Sequence, residues 1–185
     1  NQYHKLEIKN LKIEVLQKQF DALRNQVSPH FLFNSLNSLK SLIDETPVTA
    51  QKYVDHLALV LRYTLQASEN SVISLREELE FLNSYFFLVK LRFNKNISLS
   101  IDIKPELQGW NIPPLSLQML VENAIKHNEI SRRNALIITI RSTINNSITV
   151  KNNINKKRIP EPGTGSGLSN LSNQYRILCG KDIEI

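Results

Sequence analysis

The spacing of apolar residues first changes after Phe93, and that change limits the fold to a helical part followed by a mixed part. Up to Phe93 the apolar positions recur three and four apart, the period of helices with one buried stripe; from Ile97 they alternate with polar residues, the period of a half-buried strand. Ile13, Leu16, Phe20, Leu23 and Val27 form the seam of a coiled-coil lead-in helix. Leu32, Leu36, Leu39 and Ile43 resume the spacing after a step of five, with Pro29 inside that step, so a kink is expected beside residue 30. A second helix is predicted from about Val48 to Gln66, with Val54, Leu57, Leu61 and Leu65 on one side and Thr46-Pro47 before it. A hairpin of two such helices cannot bury both faces, so pairing of two chains into a four-helix bundle is the expected solution.

A third helix is predicted from Leu75 to about Phe93, and Ile97, Leu99, Ile101 and Ile103 mark a strand. The helical period returns from Pro114 to about His127. Two β-branched runs follow, Ala135 to Ser142 and Ser147 to Lys151, joined by Asn145-Asn146 as a hairpin. Asn155 to Gly167 reads as a loop, Leu168 to Leu178 as a short helix and Asp182 to Ile185 as a final strand. The whole is α+β: a helical hairpin over residues 1–70, then helices against an antiparallel or mixed sheet over 71–185.

Composition excludes more than it selects. The charge of +6 is spread among acidic residues, so the clustered basic face of a nucleic-acid module is missing. The single cysteine, Cys179, excludes a disulfide framework and a Cys-rich zinc cluster, and fits a reducing compartment. No run approaches the ~20 apolar residues that span a bilayer. The chain begins within a helical pattern and without Met, and so reads as a soluble fragment of something longer.

Three segments carry candidate chemistry. In Ser28-Pro29-His30-Phe31-Leu32-Phe33-Asn34, the residues His30, Asn34, Asn37 and Ser41 share one helical stripe expected to face outward. A neutral imidazole is a competent nucleophile near pH 7, and Asn34 one turn on can hold its other nitrogen. In the helix after Pro114, Leu117, Leu120, Val121 and Ala124 form an apolar face and leave Glu122, Asn123, Lys126 and His127 on a polar one. An amide oxygen suits Mg²⁺, Lys and His suit phosphate, and a carboxylate can order metal-bound water. In Gly163-Thr164-Gly165-Ser166-Gly167-Leu168, the glycines and a helix start allow backbone amides close to phosphate. Each alone reads equally well as ordinary surface or loop. The same holds for Lys156, Lys157 and Arg158, while His4, His56 and Trp110 read as structural or exposed residues.

Taken in order, these segments resemble the LytS-like class of sensor histidine kinases over nearly the whole chain. Pro29-His30-Phe31 through Asn34 resembles the phosphoacceptor box, Leu61-Arg62-Tyr63 the end of the second hairpin helix, and Tyr85 through Arg92-Phe93 the connecting helix. Pro113-Pro114 through Val121-Glu122-Asn123-Ala124-Ile125-Lys126-His127 is similar to the N box, and Gly163 through Leu168 with Asn170 to the glycine box. The resemblance implies a Bergerat-type α/β-sandwich ATP-binding domain behind the dimeric bundle. It also implies ATP-dependent phosphorylation of His30 and transfer to an aspartate of a response regulator, of LytTR type. Asn123 would be the Mg²⁺ ligand, Glu122 would activate or orient the nucleophile, Lys126 and His127 would meet phosphate, and Gly163, Gly165, Gly167 and Leu168 would close over it. The membrane would be reached only through segments outside this chain, a cytoplasmic piece of a bacterial inner-membrane protein.

Three departures from the family pattern stand out. Asn152, in Val150-Lys151-Asn152-Asn153, stands where relatives use an aspartate against the adenine amino group; it keeps an oxygen acceptor without the charge. Asn128 stands where a glycine commonly follows the N-box histidine, and set against the family the sequence is expected to stop short of the domain's last strand. A second reading is therefore a signalling scaffold of the same fold that binds nucleotide weakly or not at all.

Overall fold

The computed structural model describes residues 29–67, 69–157 and 166–184. The expected lead-in helix before Ser28 and its kink lie outside the described residues. The order is mixed helix and sheet, α+β, with the helical region first.

Helices α1 (Pro29–Glu45) and α2 (Pro47–Ala67) are separated by Thr46 alone. Its N–H donates to Leu42 O at 2.9 Å and its carbonyl accepts from Ala50 N at 3.0 Å, so one residue closes the first helix and opens the second. Pro47 takes the first position of α2, where no N–H is required. Helix α3 (Leu75–Phe93) runs antiparallel to α2: His56 stacks near Phe87 with centroids 4.2 Å apart and Tyr63 stacks on Phe81 at 4.1 Å. His56 is thus a packing residue, as its sequence context implied.

A strand pair, β1 (Ile73–Ser74) with β3 (Asn111–Ile112), holds the start of α3. Ser74 caps that helix: Glu77 N donates to Ser74 Oγ at 3.3 Å and Ser74 N donates back to Glu77 Oε2 at 2.9 Å, a reciprocal capping box. The main sheet has β2 (Ile97–Asp102) parallel to β4 (Leu136–Ser142), and β5 (Ile148–Asn152) antiparallel to β4, in the order β2-β4-β5. Leu136, Ile138 and Ile140 of the central strand are fully buried, while Ile137 between them is 51% exposed, so helices cover one face. The expected turn at Asn145-Asn146 forms, with Asn146 at φ 54°, a left-handed value that Asn tolerates.

Helix α4 (Ser116–His127) crosses over β4 and β5, and α5 (Ser166–Cys179) packs on α4 through Leu171, 1% exposed. The strand expected at Asp182 to Ile185 does not form over Lys181–Glu184. Asp182 instead accepts from Arg176 Nε at 2.8 Å across the end of α5.

The burial of α1 and α2 is divided between two faces. Their inward faces are Phe31, Ser35, Ser38 and Leu42 in α1 and Ala50, Tyr53, Val60, Thr64 and Ala67 in α2. The stripes expected to pack against partner helices are partly exposed in the single chain, with Leu36 57%, Ile43 56%, Val54 46% and Leu65 43% exposed. A hydrophobic period tells which face is to be covered, not what covers it.

Candidate active site

The polar helix α4 owes its placement to a residue on another helix. Its first residue follows Leu115, which is left-handed at φ 64° and provides no side-chain cap. A branched side chain in that region carries strain of order 1–3 kcal/mol unless its surroundings hold it. Here the holder is Glu78 of α3, fully buried, whose Oε2 accepts from Leu115 N at 2.9 Å and Oε1 from Leu117 N at 2.8 Å. The same Oε2 accepts from Tyr63 Oη of α2 at 2.7 Å. A carboxyl at a helix start meets amides with no other partner and the positive end of the dipole. Burial pushes the Glu78 carboxyl up, and the hydrogen bonds from Tyr63, Leu117 and Leu115 pull the other way. Burial, and next the Glu78 charge, push the Tyr63 phenol up, so Tyr63 remains a donor. Sequence reasoning passed over Glu78. The signal was there: Leu75, Glu78, Leu79 and Leu82 fall three and four apart, so the carboxylate sits within an apolar stripe.

Anchored in this way, α4 buries Leu117, Val121 and Ala124 and presents two adjoining edges. One edge carries Gln118, Glu122 and Lys126, of which Glu122 and Lys126 line a cleft of about 550 Å³ that Asn34, Ser35 and Ser38 of α1 line from the other side. Tyr85 and Arg92 of α3 form the floor with Phe31, whose ring lies 5.7 Å from that of Tyr85. Gln118 Nε2 donates to Glu122 Oε2 at 3.0 Å, one turn along the helix. Burial, and then the Glu122 charge, push the Tyr85 phenol up, against a hydrogen bond with Gln118 and the charge of Arg92.

The other edge of α4 carries Met119, Asn123 and His127, one turn apart each. It meets the start of α5, where a Cβ on Gly167 would lie 3.9 Å from Met119 Sδ. That is ordinary contact, so packing alone does not require glycine there. Asn123 and Lys126 are half-buried, His127 exposed and Leu168 half-buried in the first turn of α5.

The structure thus brings Asn34, Glu122 and Lys126 to one cleft. The polar stripe of α1 does not face outward as a unit: Asn34 turns into the cleft, while Asn37 and Ser41 are exposed. His30 is fixed by its backbone in the first turn of α1, next to Phe31. Asn152 lies exposed at the end of β5, away from the cleft, its Nδ2 donating to Asn153 O at 2.6 Å. Gly163, Gly165 and Arg158 lie outside the described residues. Asn128, in place of the family glycine, closes α4: its Nδ2 donates to Ala124 O at 2.8 Å and its Oδ1 accepts from Asn155 N at 2.7 Å. Its φ of −114° needs no glycine.

The profile of the histidine kinase family matches residues 18–97. The chain is 32% identical over 182 residues to the sensor protein LytS of Staphylococcus saprophyticus, covering 90% of this chain and 31% of that protein. It is 31% identical to LytS of Oceanobacillus iheyensis over all of this chain and 34% of that protein, and 32% identical to the sensor histidine kinase/phosphatase LytS of Staphylococcus aureus over 88% and 31%. The chain therefore spans about a third of the length of the curated relatives it matches. The family match over residues 18–97 and the identity of about 32% to LytS proteins over most of the chain support a LytS-like histidine kinase.

Proposed function

We propose that this chain is the catalytic core of a sensor histidine kinase that phosphorylates its own His30 with ATP and passes the phosphoryl group to an aspartate of a response regulator of LytTR type. The observation that carries the reading is the cleft in which Glu122 and Lys126 of α4 face the side of α1 that bears Asn34, one turn after His30.

The donor set suits a magnesium nucleotide: an amide oxygen at Asn123 for a hard cation, with Lys126 and His127 beside it for phosphate. ATP supplies the phosphoryl group, and Mg²⁺ neutralises its charge. Asn123 and His127 hold the nucleotide side of α4, while Glu122, at the boundary with the cleft, orients the His30 nucleophile. Asn34 holds the ring in its working orientation. Gly167 and Leu168, with Gly163 and Gly165, cover the phosphates, and Asn152 accepts from the base. Most of this work is positioning and charge complementarity.

The division near residue 70 separates an acceptor hairpin from an ATP-binding domain of Bergerat type. The exposed Leu36, Ile43, Val54 and Leu65 support a four-helix bundle made by two chains. Among the described residues no helix is long and apolar enough to cross a membrane. The reading places this chain on the cytoplasmic side of an inner-membrane protein.

The test is incubation with Mg²⁺ and γ-labelled ATP beside His30→Gln and Asn123→Ala. Acid-labile, base-stable label that requires both residues is expected. An unlabelled wild-type chain that also fails to bind ATP would instead identify a signalling scaffold.

A further inference from the structure

The acceptor helices and α4 must keep a fixed relation for transfer to occur, and one buried polar group touches both. We infer that Glu78 and Tyr63 are positioning residues for phosphoryl transfer: the Glu78 carboxyl joins the α2 hydroxyl of Tyr63 to the first turn of α4, so the polar edge of α4 is set by the acceptor hairpin. The inference rests on the kinase reading above.

Three observations support it. The contact is buried on the Glu78 side and links elements far apart in sequence, at 2.7 Å to Tyr63, 2.9 Å to Leu115 and 2.8 Å to Leu117. Leu115 is left-handed and without a cap of its own, so the start of α4 depends on this acceptor. The Tyr63 ring stacks on Phe81 at 4.1 Å, independent of its hydroxyl, so the hydroxyl is left to address the carboxyl. A misplacement of about 1 Å between reacting groups can lower a rate about 100-fold, so a small shift of α4 against α2 is enough to matter.

The two side chains have separable effects. Tyr63→Phe keeps the stacking and the cap on α4 but releases α2. Glu78→Gln places an N–H where an oxygen accepts, and disturbs both. In this chain, titration of ATP against the rate of phosphohistidine formation should give Tyr63→Phe a rate at saturating ATP about tenfold lower, with KM for ATP within about twofold of wild type. Glu78→Gln should lose at least as much rate and also raise KM. The double variant should be no slower than Glu78→Gln, because the hydroxyl acts only through the carboxyl. Circular dichroism melts run alongside.

A wild-type rate for Tyr63→Phe overturns the inference. So does a rate loss that follows lost helix or a matching rise in KM, and so does a double variant in which the two losses multiply. A wild-type chain that forms no phosphohistidine overturns the kinase reading and this inference with it; a labelled wild type with an equally fast Tyr63→Phe overturns this inference alone.

Discussion

In the sheet region the apolar stripes close on one another. Leu136, Ile138 and Ile140 of β4, Leu82 of α3 and Val121 of α4 are fully buried in one cluster. In the helical pair the strongest stripes stay open, with Phe33 at 69% and Leu36 at 57% exposure. The first region meets its hydrophobic demand within the chain. The second has apolar surface left over, and that surface is continuous with the element bearing His30. The buried core therefore lies mainly in one region and exposed apolar surface in the other, with α3 packed against both.

Matched truncations break or sharpen this contrast. Ile138→Ala removes a fully buried side chain from the central strand and should lower unfolding free energy by about 3 kcal/mol, read from urea denaturation. At concentrations low enough to keep the chain monomeric, Leu36→Ala should leave the same transition within about 0.5 kcal/mol, because its side chain is mostly exposed. Equal losses would show that α1 is as closed as the sheet.

The next effect concerns assembly. Burying Leu36 and Ile43 between chains should stabilise a dimer by about 1.5–3 kcal/mol for each fully covered side chain. Replacing both by Asp should shift the mass seen by analytical ultracentrifugation from dimer to monomer while the urea midpoint of the sheet region holds. A wild-type chain that sediments as a monomer would remove the partner surface from the account.

The same contrast explains what the sequence made legible. Elements were readable where one period and one boundary signal agreed: α3 at Leu75–Phe93, β2 from Ile97, and the turn at Asn145-Asn146. The polar edge of α4 was readable because Glu122, Asn123, Lys126 and His127 share one side of a helix whose other side is apolar. Burial in α1 was not readable, because Ser35, 3% exposed, faces the cleft while Leu36 faces out. Small polar residues of α1 line the cleft, whereas Leu36 and Ile43 are exposed. Glu78 escaped notice because its partners, Leu115 N, Leu117 N and Tyr63 Oη, lie 37, 39 and 15 residues away. Local patterning holds no record of such pairings.

The smallest test sits at the junction of the two regions, where Ser74 opens α3. Ser74→Ala should lower stability by about 1 kcal/mol, the usual worth of an N-cap, as measured in urea at neutral pH. Part of that depends on pH. The hydrogen bonds from the Ser74 side chain and backbone hold the Glu77 carboxyl below its ordinary value. A carboxyl whose folded value lies below its unfolded one, about 4.3, contributes stability above that pH and loses it as the pH falls through the folded value. Glu77 is solvent-exposed, so screening keeps its share small. The gap between wild type and Ser74→Ala should therefore narrow on acidification from about pH 6 to about pH 3. A gap constant over that range would mean that the hydroxyl caps the helix without help from the Glu77 charge.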